Sequence, residues 1–392
     1  MPQQLEGILN LPGYEVLSVE GNHPVRVSAR YVGAVHCPAC ESPNLRKKDR
    51  LVRRLRHESL GLRPSVLLLE AFKFHCQDCG RYFHQRFPGI LPYQRATEAF
   101  RREIYEQHRD GICQTQLSAR SRIGTATIER WFRHGLRRRE AERRHAPCPR
   151  VLGIDEHFFS RKDGFATTLC DLAHHCIYDV VLGRSEASLA GYFERLAGKE
   201  RVRVVCMDLA SGYRSVVRRF LPRARIVADR FHVVRLINQA FLATWKHLDP
   251  IGGRNRGLLG LMRHHAWTLS PLQQARLLEY LGHHPALALV YDFKQRLNRL
   301  MLFKCCTYRR ARRLVLVLLN YIAQLKASGF EALRTLGDTL ENWREEIACM
   351  WRFTRNNGIT EGFHTKMEMI SRRAFGFRNF QNYRLRVRVL CA

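Results

Sequence analysis

The stretch from Val151 to Leu172, VLGIDEHFFSRKDGFATTLCDL, contains two short apolar runs, VLGID from Val151 and FATTLCDL from Phe165. Runs of this length have the pattern of β-strands. Three more follow: CIYDVVL from Cys176, VRVVCMDL from Val202 and ARIVAD from Ala224. The first three are close enough together to form a meander. SEASLAGYFERLAG separates the third run from the fourth, SGYRSVVRRFL separates the fourth from the fifth, and both have helical spacing. Short turns join antiparallel neighbours, whereas a helix between strands makes a crossover, so the pattern predicts a mixed sheet with crossover helices.

Asp155 ends the first run and Asp208 the fourth, so adjacent strands would bring two carboxylates together at one sheet edge. Either residue alone also suits an ordinary turn or helix cap. A third carboxylate comes from NNGITEGFHTKM, Asn356 to Met367, where Glu361 falls in the first turn of an expected helix. Three carboxylates in one place can hold two magnesium ions, one for the attacking water and one for the leaving oxygen. Arg355 and Lys366 flank Glu361 and are either clamps for the phosphates of a cut strand or solvated charges.

Between Phe231 and Arg355 strand signals vanish, and Leu, Ala, Arg and Gln recur at helical spacing, the mark of a helical insertion or a second helical domain. Its tryptophans Trp245, Trp267, Trp343 and Trp351 suit core packing better than base stacking. Upstream, residues 16 to 35 and 62 to 75 alternate apolar and polar positions as short strands do, and a CxxC closes each group. Helical periodicity runs from Glu98 to about Glu142, and Pro147 to Pro149 mark a boundary.

Cys37-Pro-Ala-Cys40 and Cys76-Gln-Asp-Cys79 each have the spacing that turns two thiolates toward one tetrahedral zinc, with Gly80 allowing a tight turn. The 35 residues between the pairs exceed the commoner spacing, and His36 or His75 could replace a thiolate. ICQTQLSARSRIGTATIERWF, Ile112 to Phe132, reads as two short helices around a turn at Arg122 to Gly124, with Thr125 or Thr127 placed to cap the second. As a helix-turn-helix, the second helix would carry Thr127, Glu129, Arg130 and Arg133 toward a major groove, with Arg137, Arg138 and Arg139 on the DNA backbone. A plain helical hairpin with a solvated basic face fits the same residues.

The chain has 392 residues, with 66 Lys and Arg against 35 Asp and Glu, a formal charge of +31, so a polyanion is the first partner to expect. With 45% hydrophobic residues this charge sits on a folded protein. Leu314 to Leu319 and Ala286 to Val290 are far too short to cross a bilayer. The first residues lack the features of a secretory signal, and 13 cysteines in few pairs suit a reducing compartment, so a cytoplasmic, nucleoid-associated protein is expected.

Four ordered blocks, GIDEHFFSRKDGFATTLCDL, VVCMDLASGYRSVV, PRARIVADRFHVV and RNNGITEGFHTKMEMISRRAFGFRNFQNYRLRV, together with CPAC and CQDCG, resemble DDE transposases of the ISL-three insertion-sequence family. The resemblance covers almost the whole chain. It implies a ribonuclease H-like core in which Asp155, Asp208 and Glu361 are first Asp, second Asp and Glu, holding Mg2+ or Mn2+. The 152 residues between Asp208 and Glu361 fit a core interrupted by a helical insertion. Asp229-Arg230-Phe231-His232 is similar to a DxxH signature, giving Asp229 and His232 a supporting role. The expected fold is therefore α/β and multi-domain, with boundaries at 1–89 (zinc ribbon), 90–147 (helix-turn-helix), 148–235 (core, first part), 236–349 (insertion) and 350–392 (core, final part).

The resemblance further implies an enzyme that binds the terminal inverted repeats of its element, cuts there, and joins the freed 3′ hydroxyl to double-stranded target DNA. Pairing two ends calls for a homodimer or larger assembly. The competing expectation is a transposase-derived DNA-binding regulator that has lost cutting, against which the intact acidic trio argues.

Overall fold

The computed structural model describes residues 9–143, 147–353 and 358–392. The chain forms two compact units, Met1–Glu142 and Arg143–Ala392.

In the first unit, β1 (Tyr14–Glu20) and β2 (Val25–Tyr31) form an antiparallel hairpin, and β2 runs parallel to β4 (Arg63–Cys76). β3 (Leu45–Leu60) pairs antiparallel with β4, giving the order β1-β2-β4-β3, and β5 (Tyr82–His84) pairs with the end of β4. Alternate β4 residues Leu67, Leu69 and Ala71 join Val25, Val27, Ala29 and Leu55 in one core, as the two-residue period of a strand requires. The sequence pattern passes over β3. Its LRKKDRLVRRLRHESL keeps five of its seven Lys and Arg side chains exposed to water, while its backbone is satisfied by the ladder to β4.

Three helices follow: α1 (Glu98–Arg109), α2 (Gln114–Ser121) and α3 (Thr125–Arg143). Phe100, Ile104, Leu117, Ile123 and Ile128 form their shared core. The turn after α2 is made by Arg122 at φ +52°. The second helix opens at Thr125 itself, so neither Thr125 nor Thr127 caps it from outside; the Gly124 carbonyl accepts from the N–H groups of Thr127 and Ile128 instead.

The second unit is built on a sheet of order β10-β9-β6-β7-β8. β6 (Val151–Ser160), β7 (Gly164–Asp171) and β8 (Cys176–Leu182) form an antiparallel meander, and β9 (Val204–Met207) and β10 (Arg225–Ala228) add in parallel beside β6. The crossovers contain α4 (Glu186–Arg195) and α5 (Ser211–Phe220). Leu152, Ile154, Val205, Met207 and Ala228 pack on Leu189, Phe193, Val216 and Val217 on one side of the sheet. On the other side Cys170, Ile177, Val180 and Cys206 pack on Met367 of α13 (Gly358–Arg373) and on Tyr383 and Val387 of α14 (Phe380–Leu390).

The described residues between β10 and α13 are helical with no strand: α6 (Arg230–Leu248), α7 (Arg256–Arg263), α8 (Pro271–Gly282), α9 (Pro285–Met301), α10 (Tyr308–Lys326), α11 (Glu331–Asn342) and α12 (Arg344–Arg352). Trp245, Trp343 and Trp351 are core residues here. Arg230, the first residue of α6, is buried, and its guanidinium donates to the carbonyls of Met301, Phe303 and Met350, each at 3.0 Å. Among the described residues no helix is long and apolar enough to cross a membrane.

Candidate active site

The parallel ladder fixes the acidic residues by counting. β6 pairs with β9 from Val151↔Val204 to Ile154↔Met207, and β10 pairs with β9 from Arg225↔Val204 to Ala228↔Met207. All three strands therefore reach the same last row, and the next residues are Asp155, Asp208 and Asp229. β6 does not end at Asp155, as its apolar run suggested, but continues to Ser160 beside β7. Asp155 is thus paired with Thr168 of β7, one residue beyond the end of the β9 ladder, and is 5% exposed; Asp229 is 1% exposed.

His232 lies one turn into α6, between two of these carboxylates. Its Nδ1 hydrogen-bonds Asp229 Oδ2 at 2.9 Å and stands 2.6 Å from Asp208 Oδ1. Burial opposes a charge on the ring, but the two carboxylates outweigh it and push the imidazole pKa up to about 10. Asp155 is pushed up to about 7 by burial and by the charge of Asp208. Asp208 Oδ1 is buried, and the donor near it is His232 Nδ1, whose single proton is shared with Asp229. Buried carboxylate oxygens that share one donor, beside a further carboxyl that resists ionising, are an environment that a cation relieves. Donor atoms of Asp208, Asp229 and His232 lie within 4.8 Å of one another; the carboxylate oxygens are the donors that suit Mg2+ or Mn2+, while the charged imidazolium is held between them.

Glu361 sits in the first turn of α13, exposed, and among the described residues its carboxylate makes no hydrogen bond or ion pair. One turn further, His364 brings α13 to the aspartates, with Nδ1 3.9 Å from Asp155 Oδ2. Its Nε2 is 3.1 Å from the hydroxyl of Thr168, which is paired with Asp155 across the β6–β7 ladder. That hydroxyl also meets Nδ1 of His157 at 2.9 Å, and Tyr383 meets Nε2 of His157 at 2.9 Å. Burial, with His364 adding to it, lowers the His157 pKa to about 3, and burial lowers His364 to about 4, so both rings are neutral. Sequence reasoning singled out none of these four. Their signals were the i+2 spacing of His157 from Asp155 and the i+3 spacing of His364 from Glu361. Glu156 points away from Asp155 and pairs with Arg184 at 3.1 Å. Lys366 is exposed on α13, and Arg355 lies outside the described residues.

In the first unit the four cysteines converge. Cys37 and Cys79 sulfurs are 3.5 Å apart, those of Cys40 and Cys76 3.6 Å, and all four lie within 4.8 Å. A tetrahedron with Zn–S bonds of about 2.3 Å has edges of about 3.8 Å, so the cluster fits a structural zinc. The two knuckles match: Glu41 N–H bonds the Cys37 carbonyl at 2.9 Å and Gly80 N–H the Cys76 carbonyl at 3.0 Å, with φ +58° and +70°. Burial opposes a Cys37 thiolate, but the N–H groups of Ala39 and Cys40 and the neighbouring thiols bring its pKa down to about 6. His36 bonds the Glu41 carbonyl and His75 lies against the Tyr82 ring at a tilt of 35°, so neither belongs to the cluster.

On α3, Arg130, Arg137 and Arg138 are exposed and Thr127 is half-buried. Arg133 is ion-paired with Glu129, and Arg139 is tied to Glu106 at 2.8 Å. Ile128 and Phe132 are buried behind this face.

Comparison with known proteins places a chain with this aspartate row and this four-cysteine cluster among the transposases. Residues 152–387 match the transposase family of the ISL3 group, and residues 33–79 match the zinc finger of the transposases of IS204, IS1001, IS1096 and IS1165; the chain belongs to the ISL3 family of DDE transposases. It is 23% identical over 402 residues to the transposase for insertion sequence element IS1001 of Bordetella parapertussis, covering 98% of this chain and 97% of that protein.

Proposed function

We propose that the protein binds the terminal inverted repeats of an insertion sequence, cuts at them, and joins the 3′ ends to target DNA, with Asp155, Asp208 and Glu361 as the DDE triad. The observation that carries this reading is the common row of Asp155 and Asp208 at the end of paired parallel strands. The strand order with its antiparallel meander supports a ribonuclease H-like core, and α6 to α12 supply the insertion between the second Asp and the Glu.

Asp155 and Asp208 would hold the divalent cations, with Glu361 from the first turn of α13 completing the set. Bound there, Mg2+ or Mn2+ supplies the Lewis acid that activates the attacking oxygen and neutralises the leaving one. Asp229 orients His232, and the imidazolium pins Asp208. Both steps are displacements at phosphodiesters: water attacks first, its oxygen staying on the 5′ phosphate as the 3′ oxygen leaves as a hydroxyl, and that 3′ hydroxyl then attacks a target phosphodiester, joining the target's 5′ phosphate as the target strand's own 3′ oxygen leaves as a hydroxyl. In the first unit, zinc rigidifies the knuckles, and α2 and α3 act as a helix-turn-helix that presents Thr127, Arg130 and Arg133 to the bases and Arg137 and Arg138 to phosphates. Arg139, tied to Glu106, shapes that unit instead. Lys366, and Arg355 with it, contacts the cleaved strand. The protein works as a homodimer or larger assembly on nucleoid DNA in the cytoplasm.

The test is cleavage and joining of labelled DNA carrying the element's terminal repeats, with magnesium. The wild type cuts and joins, while Asp208→Asn and Glu361→Gln bind the same DNA and do neither. Wild-type protein that pairs the ends and leaves them uncut overturns the reading in favour of a DNA-binding regulator.

A further inference from the structure

On the side of the sheet covered by α13 and α14, side chains from four elements form one line of hydrogen bonds. Tyr383 of α14 is 2.9 Å from Nε2 of His157 on β6, and Nδ1 of His157 is 2.9 Å from the hydroxyl of Thr168 on β7. The same hydroxyl is 3.1 Å from Nε2 of His364 on α13, whose Nδ1 faces Asp155 Oδ2 at 3.9 Å. Thr168 is fully buried.

The polarity of this line follows from proton counting. A neutral imidazole has one N–H and one acceptor nitrogen, and a hydroxyl has a single proton to give. If Tyr383 donates to Nε2 of His157, the His157 proton is on Nδ1 and goes to Thr168. The Thr168 proton then goes to Nε2 of His364, and the His364 proton must sit on Nδ1, facing Asp155. Run the other way, the line would turn a bare nitrogen lone pair toward a carboxylate. Only the first direction presents Asp155 with a donor. At 3.9 Å this is a charge–dipole contact rather than a hydrogen bond, and it favours the ionised carboxylate.

We propose that Tyr383, His157, Thr168 and His364 are positioning residues, a one-directional hydrogen-bonded line that fixes the His364 Nδ1–H toward Asp155. The line thereby holds the Asp155 carboxylate and the first turn of α13, which bears Glu361, in the mutual placement that strand cleavage needs. This rests on the transposase reading for its consequence, though not for its geometry. Such outer partners orient the ligand that touches the metal and are worth roughly ten- to a hundredfold in metal affinity or rate.

Thr168→Val keeps the shape of the buried side chain and removes the hydroxyl; Thr168→Ser restores the hydroxyl. Four readouts separate the outcomes: the unfolding midpoint, DNA affinity, single-turnover cleavage of terminal-repeat DNA, and Mn2+ affinity by the electron paramagnetic resonance of free Mn2+. Thr168→Val should bind DNA as wild type does, yet lose about tenfold or more in cleavage rate and Mn2+ affinity, with Thr168→Ser recovering most of both. Imidazole 15N spectra should show His157 and His364 as Nδ1–H tautomers, assigned by His157→Gln and His364→Gln. A folded Thr168→Val protein with wild-type cleavage and Mn2+ binding overturns the proposal, as do Nε2–H tautomers at both histidines. So does a Thr168→Ser variant as impaired as Thr168→Val. If the wild type cuts no DNA, the transposase reading fails, and the line is then decided by the tautomers and Mn2+ binding alone.

Discussion

Arg230→Met removes the guanidinium that ties the start of α6 to the last residue of α9, to the chain just after it and to the end of α12. Three bonds at 3.0 Å are lost, to the carbonyls of Met301, Phe303 and Met350. A hydrogen bond to a charged group contributes about 1.5–3 kcal/mol, and a buried carbonyl left without a donor adds a penalty of its own. Relaxation and the apolar contacts of methionine offset part of this, leaving a loss of about 4 kcal/mol, at the upper end for a single substitution. Four of the chain's five tryptophans lie in the second unit, so fluorescence in urea, with zinc present throughout, follows that unit. With a slope of about 3 kcal/mol per M for a unit of this size, the midpoint should fall by about 1 M. Arg230→Lys, whose ammonium cannot span three carbonyls, should lie between the two. A midpoint within about 0.3 M of wild type for Arg230→Met would refute the reasoning, because it would mean that the carbonyls find other donors at no cost.

Further outcomes follow from the charges. His232 has its folded pKa raised to about 10 from an ordinary value of 6.5, so its contribution to metal-free stability is fully present below 6.5 and is lost as pH rises toward 10. His232→Gln should flatten that decline in denaturation curves taken across the window. Asp155, raised to about 7, must shed its proton to hold a cation, so Mn2+ affinity measured by titration should climb about tenfold per pH unit below 7 and level off above it. Chelating the zinc, or Cys76→Ser, should bring the metal content measured by mass spectrometry from one zinc per chain to none and expose the end of the β3–β4 hairpin to proteolysis, leaving the second unit's urea transition in place. Glu156→Gln, which disturbs only a surface pair with Arg184, should change cleavage by less than about twofold, whereas Asp155→Asn abolishes it.

Much of the second unit is legible in the sequence because its apolar runs are short and three of them lead directly into an aspartate. VLGID, VRVVCMD and ARIVAD each announce a strand and the acidic residue after it, and equal offsets in three parallel strands yield the common row. β3 escapes this reading, since Arg and Lys dominate a strand whose pairing partner, rather than its own pattern, makes it extended. The Tyr383–His157–Thr168–His364 line escapes it for another reason. Its members come from four elements, and what joins them is the cross-strand pair Asp155↔Thr168 and the docking of two helices 200 residues downstream, which no local periodicity encodes. His232 was visible as part of DRFH, but its position between two carboxylates depends on how α6 leaves β10.

The shared row of aspartates also sets how the gene can change. Side chains in the ladder alternate between two faces, so replacing Val205 or Ile154 with another apolar residue leaves every carboxylate where it stands. Deleting or inserting one codon inside β6 or β9 instead rotates the aspartate that follows to the opposite face and moves it by one strand residue, about 3.3 Å. Within β6 and β9, apolar substitutions should therefore accumulate while length stays frozen, and a single-codon slip there should silence the protein as completely as losing the aspartate itself.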